Sequence, residues 1–131
     1  MTKPRTAGKL VLGTAIFSWA LLASPALAAV QEGIASWYGP RFHGRRAASG
    51  EIFDQNAMTA AHLRLPFGTE VKVTNVSNGK STVVRINDRG PYVRGRILDL
   101  SRAAAAELGM VSRGIARITL EILPEPPERD C

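Results

Sequence analysis

The side chains with the most chemistry to offer lie in Arg85-Ile86-Asn87-Asp88-Arg89-Gly90-Pro91-Tyr92 and, just beyond, in Arg96-Ile97-Leu98-Asp99-Leu100-Ser101. In the first stretch an apolar strand, 83–86, runs into a polar turn punctuated by Gly and Pro. That turn holds one carboxylate between an amide and a guanidinium, a layout that suits presenting a single acid group at the rim of a β-scaffold. A positioned carboxylic acid can donate a proton and, once ionised, take one back. A free aspartate titrates near about 3.9, so an acid that must hold a proton near neutrality needs burial or a neighbouring anion. Glu51 is the anion expected to supply that. On residue type alone, Asp88 fits equally well an ion pair with Arg85 or Arg89, or a cap on its own turn.

The other candidates have similarly plain alternatives. Glu51 follows Gly50 in a long polar loop, where a solvated surface role is the common one. A lone histidine such as His62 is often a satisfied structural residue, but it can also hydrogen-bond Asp88 and orient it, or relay a proton. His43 lies in an Arg-rich loop and reads as a surface residue. Two histidines with no further close ligand argue against a catalytic metal site, and no cofactor is expected. Asp99 fits a hydrogen bond to the helix start near Ser101. Arg89 can bind an anionic or carbonyl oxygen, or lock its own turn.

Several short elements must position these groups. Residues 33–38 alternate small or polar with larger side chains and predict a first strand. Residues 39–56 show no strong period and predict a long loop, the kind that is usually functional or mobile in a small domain. Residues 57–62 fit a strand or a short helical turn. In 70–75, Val71 and Val73 alternate with Lys72 and Thr74, as in a half-buried strand. Asn78-Gly79 then predicts a hairpin, with 81–87 as the return strand. A short strand over 96–100 follows. Ser101 caps a helix over 102–108 that Gly109 ends, and 115–122 reads as the closing strand. Many short strands, turns and one helix suggest a closed β-structure.

The chain has 131 residues, which predicts one domain. Residues 1–28 read as a secretory signal peptide: Lys3, Arg5 and Lys9, then an apolar run over 10–22, then Ala26-Leu27-Ala28. That run is short for a span of roughly 20 residues, so no transmembrane anchor is expected in the mature chain. Removing those three of the 17 basic residues leaves 14 against 11 acidic ones, and the net charge falls from +6 to +3. The basic residues left cluster between Arg41 and Arg117, with Arg41, Arg45 and Arg46 in the long loop. They lack aromatic interleaving, and export removes the chain from nucleic acid, so nucleic-acid binding is not expected. Cys131 is the single cysteine and cannot close a disulfide within the chain. Residues 124–131 are Pro- and charge-rich and predict a disordered tail.

Six segments occur in one order: Gly33-Ile-Ala-Ser-Trp-Tyr-Gly39, Ala48-Ser-Gly-Glu51, Thr59-Ala-Ala-His62, Leu65-Pro-Phe-Gly68, Asn87-Asp-Arg-Gly-Pro91 and Asp99-Leu-Ser101. Together they resemble the core domain of the rare lipoprotein A (RlpA-like) family over residues 29–123. The resemblance implies a mostly-β fold, the six-stranded double-psi β-barrel related to barwin and expansin, with one or two short helices. It implies a lytic transglycosylase that cuts the β-1,4 bond between N-acetylmuramic acid and N-acetylglucosamine in peptidoglycan and leaves 1,6-anhydro ends. In that reading Asp88 is the acid/base, and Glu51 and His62 set its protonation and orientation. Tyr92, Arg89, Tyr38 and Asp99 would contact substrate, with no metal or cofactor. Of the neighbours Trp37 and Tyr38, which could stack on sugar rings, strand alternation sends one to the core and one outward. The partners are glycan strands, the place is the periplasm or cell envelope, and the state is a soluble monomer. The competing expectation is a non-catalytic, expansin-like module that binds or loosens the wall. Ala48-Ser-Gly-Glu51 stands where the family more often has Thr-Ala-Asn-Gly-Glu, a mild departure. No cysteine follows Ala28 for lipid attachment and no SPOR-type domain is recognised. Lipid anchoring, septal recruitment and a preference for peptide-stripped strands are therefore not carried over.

Overall fold

The computed structural model describes residues 30–125. The expected leader over 1–28, and the expected tail beyond Glu125 with Cys131, lie outside the described residues.

Strand β1 (Val30–Trp37) starts three residues earlier than its alternation suggests, because Val30 already pairs with Glu121 of the last strand. Strand β2 (Thr59–Ala61) settles the ambiguous 57–62 stretch as extended chain, with all three residues buried. Strand β3 (Glu70–Asn75) buries Val71, Val73 and Asn75 and turns Lys72 outward, as period-two alternation requires. The hairpin turn at Gly79, whose φ of +77° favours glycine, leads back into β4 (Ser81–Asp88). Strand β5 (Arg96–Leu100) runs to Ser101, whose side chain accepts the Ala104 N–H and so caps α1 (Arg102–Glu107). Strand β6 (Ile115–Ile122) closes the fold.

The six strands form one closed barrel in the order β1-β5-β2-β4-β3-β6. β1 pairs with β5 and β2 with β4 in parallel; the other ladders are antiparallel. Closure leaves no open sheet edge, the standing hazard of small β-proteins. The barrel is filled by Val71, Val73, Val84, Ile86, Leu98, Leu100, Ile118 and Leu120, none more than 1% exposed. Ala104, Ala105 and Leu108 of the α1 region join the same core. Each such Val, Leu or Ile contributes about 1.5–3 kcal/mol of burial free energy.

The loop over 39–56 is more ordered than its sequence suggests. One 3-10 turn (Pro40–Phe42) leads into a bridge between Arg46 and Ile52. Main-chain bonds from Gly44 N–H to Phe53 C=O (2.8 Å) and from Phe53 N–H to Arg45 C=O (2.7 Å) zip it up. Phe53, 4% exposed, anchors it beneath Tyr38.

Candidate active site

The barrel's pairing places two acids that are eleven positions apart in sequence on one lateral row. Asp99 of β5 is paired with Ser36 of β1 on one side and with Ala61 of β2 on the other; Ala61 is in turn paired with Asp88 of β4. Two strand spacings separate Asp88 from Asp99, about 10 Å between Cα atoms. The register shift between Ala60 and Ala61 brings Asp88 into that row.

Asp88 is held from three directions. Oδ1 accepts the N–H of Ala48 (2.8 Å), from the long loop, and the N–H of Arg89 (2.9 Å); Oδ2 accepts the Tyr38 hydroxyl (2.8 Å). The Tyr38 ring sits 4.8 Å from Phe53 and 5.4 Å from Phe42, centroid to centroid. Burial first, and then the bond to Asp88, push the Tyr38 phenol far above its ordinary range, so it stays a donor at every physiological pH. The turn that follows carries Gly90 at φ +132° and a cis Gly90–Pro91 bond. A Cβ at Gly90 would meet nothing closer than 3.7 Å, so backbone conformation and not space selects glycine there.

Asp99 uses one oxygen for structure. Its Oδ1 accepts from the Ser36 hydroxyl and from Arg96 Nη2 (2.7 Å). Oδ2 has no hydrogen-bond partner among the described residues and points toward the Gly90 turn, 4.0 Å from where a Cβ on Gly90 would lie. The expected bond from Asp99 to the helix start is replaced, because Ser101 caps α1 itself. Both acids line an open groove of about 450 Å³, walled by Tyr38, Phe53 and Arg45. Tyr92 stands at its lip, 81% exposed.

Glu51 and His62 do not reach the Asp88 carboxyl. The Glu51 carboxylate is gripped by Arg85 (Nη1 2.7 Å, Nη2 3.0 Å) and by Asn87 Nδ2 (3.2 Å). Those bonds, Arg85 foremost, hold its carboxyl below the usual glutamate range, and its charge is spent on the end of β4 and not on Asp88. The His62 ring is buried on another side of the wall, in a depression shared with Gln31 and Ile97. Its Nδ1 accepts the N–H groups of Arg64 (3.0 Å) and Leu65 (3.1 Å), and its Nε2 lies 3.1 Å from Gln31 Oε1. Its link to Asp88 is through main chain: the His62 N–H donates to the Asp88 carbonyl (3.2 Å).

Arg89 borders the groove but locks the turn. Its Nη1 donates to the carbonyls of Leu65 (2.9 Å) and His62 (3.3 Å), and its guanidinium stacks 4.0 Å above the Phe67 ring. Of the neighbouring aromatics, Trp37 goes to the core side, with its indole N–H on Val111 C=O (3.3 Å), and Tyr38 goes to the groove. His43 braces the long loop by accepting the Gln55 N–H at Nδ1 (3.1 Å). Sequence reasoning missed Ser36 and Arg96, which fasten Asp99. One signal was available: Ser36 and Tyr38 stand two apart at the end of an extended stretch and so face one side.

Residues 30–120 match the family model described as lytic transglycolase. The chain is 62% identical over 94 residues to the probable endolytic peptidoglycan transglycosylase RlpA of Synechocystis, covering 72% of this chain and 29% of that protein. It is 51% identical over 102 residues to the Campylobacter jejuni protein named endolytic peptidoglycan transglycosylase RlpA, covering 76% and 37%. The Vibrio cholerae protein of that name is 56% identical over 93 residues, covering 71% and 35%. The chain thus spans about a third of the length of these relatives. Among solved structures it is similar to a Streptomyces papain inhibitor (TM-score 0.59, 25% identity, 74% of this chain and 96% of that one). It is also similar to a Clavibacter michiganensis expansin (TM-score 0.60, 24% identity, 76% and 52%). The closed barrel is the barwin- and expansin-like double-psi β-barrel.

Proposed function

This chain belongs to the lytic transglycolase family, and on that footing we propose that its barrel is an endolytic peptidoglycan transglycosylase domain acting in the cell envelope. The observation that carries this reading is the Asp88 carboxylate, held by three donors and lining an open groove that a second acid also lines. In the proposed reaction Asp88 gives a proton to the glycosidic oxygen that leaves with N-acetylglucosamine. The bond from that oxygen to C1 of N-acetylmuramic acid breaks through an oxocarbenium-like state. The 6-hydroxyl of the same sugar attacks C1, and its proton returns to Asp88. No water is consumed and the acid is regenerated.

The other residues take supporting roles. Tyr38 orients Asp88 through its hydroxyl, and Arg89 holds the turn that carries it. Tyr92, standing free at the lip, offers its ring face to a sugar. Glu51 ties the long loop to β4 beside Asp88 through Arg85 and Asn87. One observation favours a second assignment within the same reaction. Both Asp88 oxygens are engaged, whereas Asp99 Oδ2 has no partner among the described residues, so Asp99 would be the proton carrier and Asp88 a substrate contact.

Mass spectrometry of peptidoglycan digests tests both the function and the assignment. Wild type should generate new 1,6-anhydro ends, and Asp88→Asn should abolish them while binding persists. Loss only in Asp99→Asn would exchange the two roles. Binding without new ends in wild type would make the domain a wall-binding module instead.

A further inference from the structure

We propose that His62 is a positioning residue: a neutral imidazole that latches the 62–67 loop, and through it Asp88, without carrying a proton in the reaction. The proposal rests on the reading of Asp88 as a groove acid. The hydrogen bonds themselves define the ring's state. Two main-chain N–H groups, of Arg64 and Leu65, converge on Nδ1 at 3.0 and 3.1 Å. A donor cannot point at a donor, so Nδ1 bears no proton; the ring proton sits on Nε2 and is given to Gln31 Oε1. In effect the imidazole accepts from the residues two and three positions ahead, as an asparagine does in an Asx turn.

The latched loop is connected to Asp88 by direct contacts. The loop carbonyls of His62 and Leu65 meet on Arg89 Nη1, and the Arg89 N–H donates to Asp88 Oδ1. The His62 N–H closes the circuit on the Asp88 carbonyl. Protonating the ring would break both bonds at Nδ1 and place a cation among arginines. Arg64 and Arg89 act on the ring directly, Arg96 lines the same depression, and Gln31 is uncharged. No acid is hydrogen-bonded to the ring among the described residues. Burial first, then Arg89 and Arg64, push the His62 pKa below the ordinary histidine value.

Two substitutions separate a latch from a relay. His62→Asn keeps an acceptor where Nδ1 lies and cannot carry a proton at neutral pH. His62→Gln keeps a donor near Nε2 and loses the acceptor. For a latch, the Asn variant stays within about threefold of wild-type kcat with the same pH profile. The Gln variant loses on the order of 10- to 100-fold in kcat with KM little changed, as a displaced catalytic group does. Nitrogen NMR of the wild-type imidazole should show the Nε2–H tautomer, taking up a second proton only below the ordinary histidine range. A proton on Nδ1, an activity limb that follows the imidazole titration, or an Asn variant as impaired as the Gln variant would overturn the proposal. If the Gln variant does not fold, the Asn variant decides alone: folded and active upholds the latch, inactive or unfolded overturns it. If wild type cuts no glycan, the functional reading fails separately. The latch is then judged on the amide exchange of Arg64 and Leu65 and on the Asp88 carboxyl NMR shift. Both should change in the Gln variant and stay in the Asn variant, and an equal change in both overturns it.

Discussion

Replacing Tyr38 by Phe removes one hydroxyl from the groove and leaves the ring where it is. The ring stays packed on Phe53 and Phe42, at 4.8 and 5.4 Å, so the fold should lose only about 1 kcal/mol, the net worth of one hydrogen bond. What goes is the 2.8 Å donor to Asp88 Oδ2. As Asp88 gives up its proton it becomes a carboxylate, and a hydrogen bond to a charged group is worth about 1.5–3 kcal/mol. Without it the carboxylate is held only on its Oδ1 side, by the N–H groups of Ala48 and Arg89, and can rotate out of line. If that full amount appears in the barrier, with a factor of ten for every 1.36 kcal/mol, glycan cleavage falls about 10- to 150-fold. The assay is the rate of 1,6-anhydro end formation from purified peptidoglycan, by mass spectrometry, beside a thermal melt. Activity within twofold of wild type, in a protein that melts no lower than that loss allows, would refute the claim that Tyr38 orients Asp88.

The remaining predictions concern stability. Glu51, whose carboxyl is held below its ordinary range, contributes stability that is present above about pH 4.3 and lost as pH falls through its folded value. Because the pair with Arg85 is exposed, Glu51→Gln should cost only about 0.2–1 kcal/mol at pH 7. The difference from wild type should close on acidification, read from denaturant melts at pH 7 and pH 3. Ser101→Ala removes the buried cap on the Ala104 N–H and should cost about 1 kcal/mol. By calorimetry that is a fall in Tm of roughly 4–8 °C for a domain of this size.

Most of the barrel was legible because its strands carry strong local signals. Glu70–Asn75, Arg96–Leu100 and Ile115–Ile122 fall where alternation and turn residues put them. The helix ends one residue short of the expected 102–108, with Leu108 as its cap. The long loop lies where the missing period puts it, but its internal bonding was not legible, because it rests on Phe53 packing against Tyr38. The structure brings two of the acids singled out in the sequence, Asp88 and Asp99, to one groove, and leaves Glu51 and His62 outside it. Glu51 and His62 carry the right chemistry, but their hydrogen bonds go to Arg85 and Asn87 and to the 64–65 main chain. Sequence spacing cannot reveal which way a side chain turns once a strand is closed into a barrel.

The amino-acid order alone determined the alternating strands, the Gly- and Pro-marked turns, the helix cap and the family resemblance, since each depends on residues within a few positions of one another. The tertiary structure alone decided that Asp88 and Asp99 share a groove. That depends on β5 lying against β2 and β2 against β4 with a one-residue shift at Ala61, and a register shift of one residue moves every side chain beyond it to the opposite face.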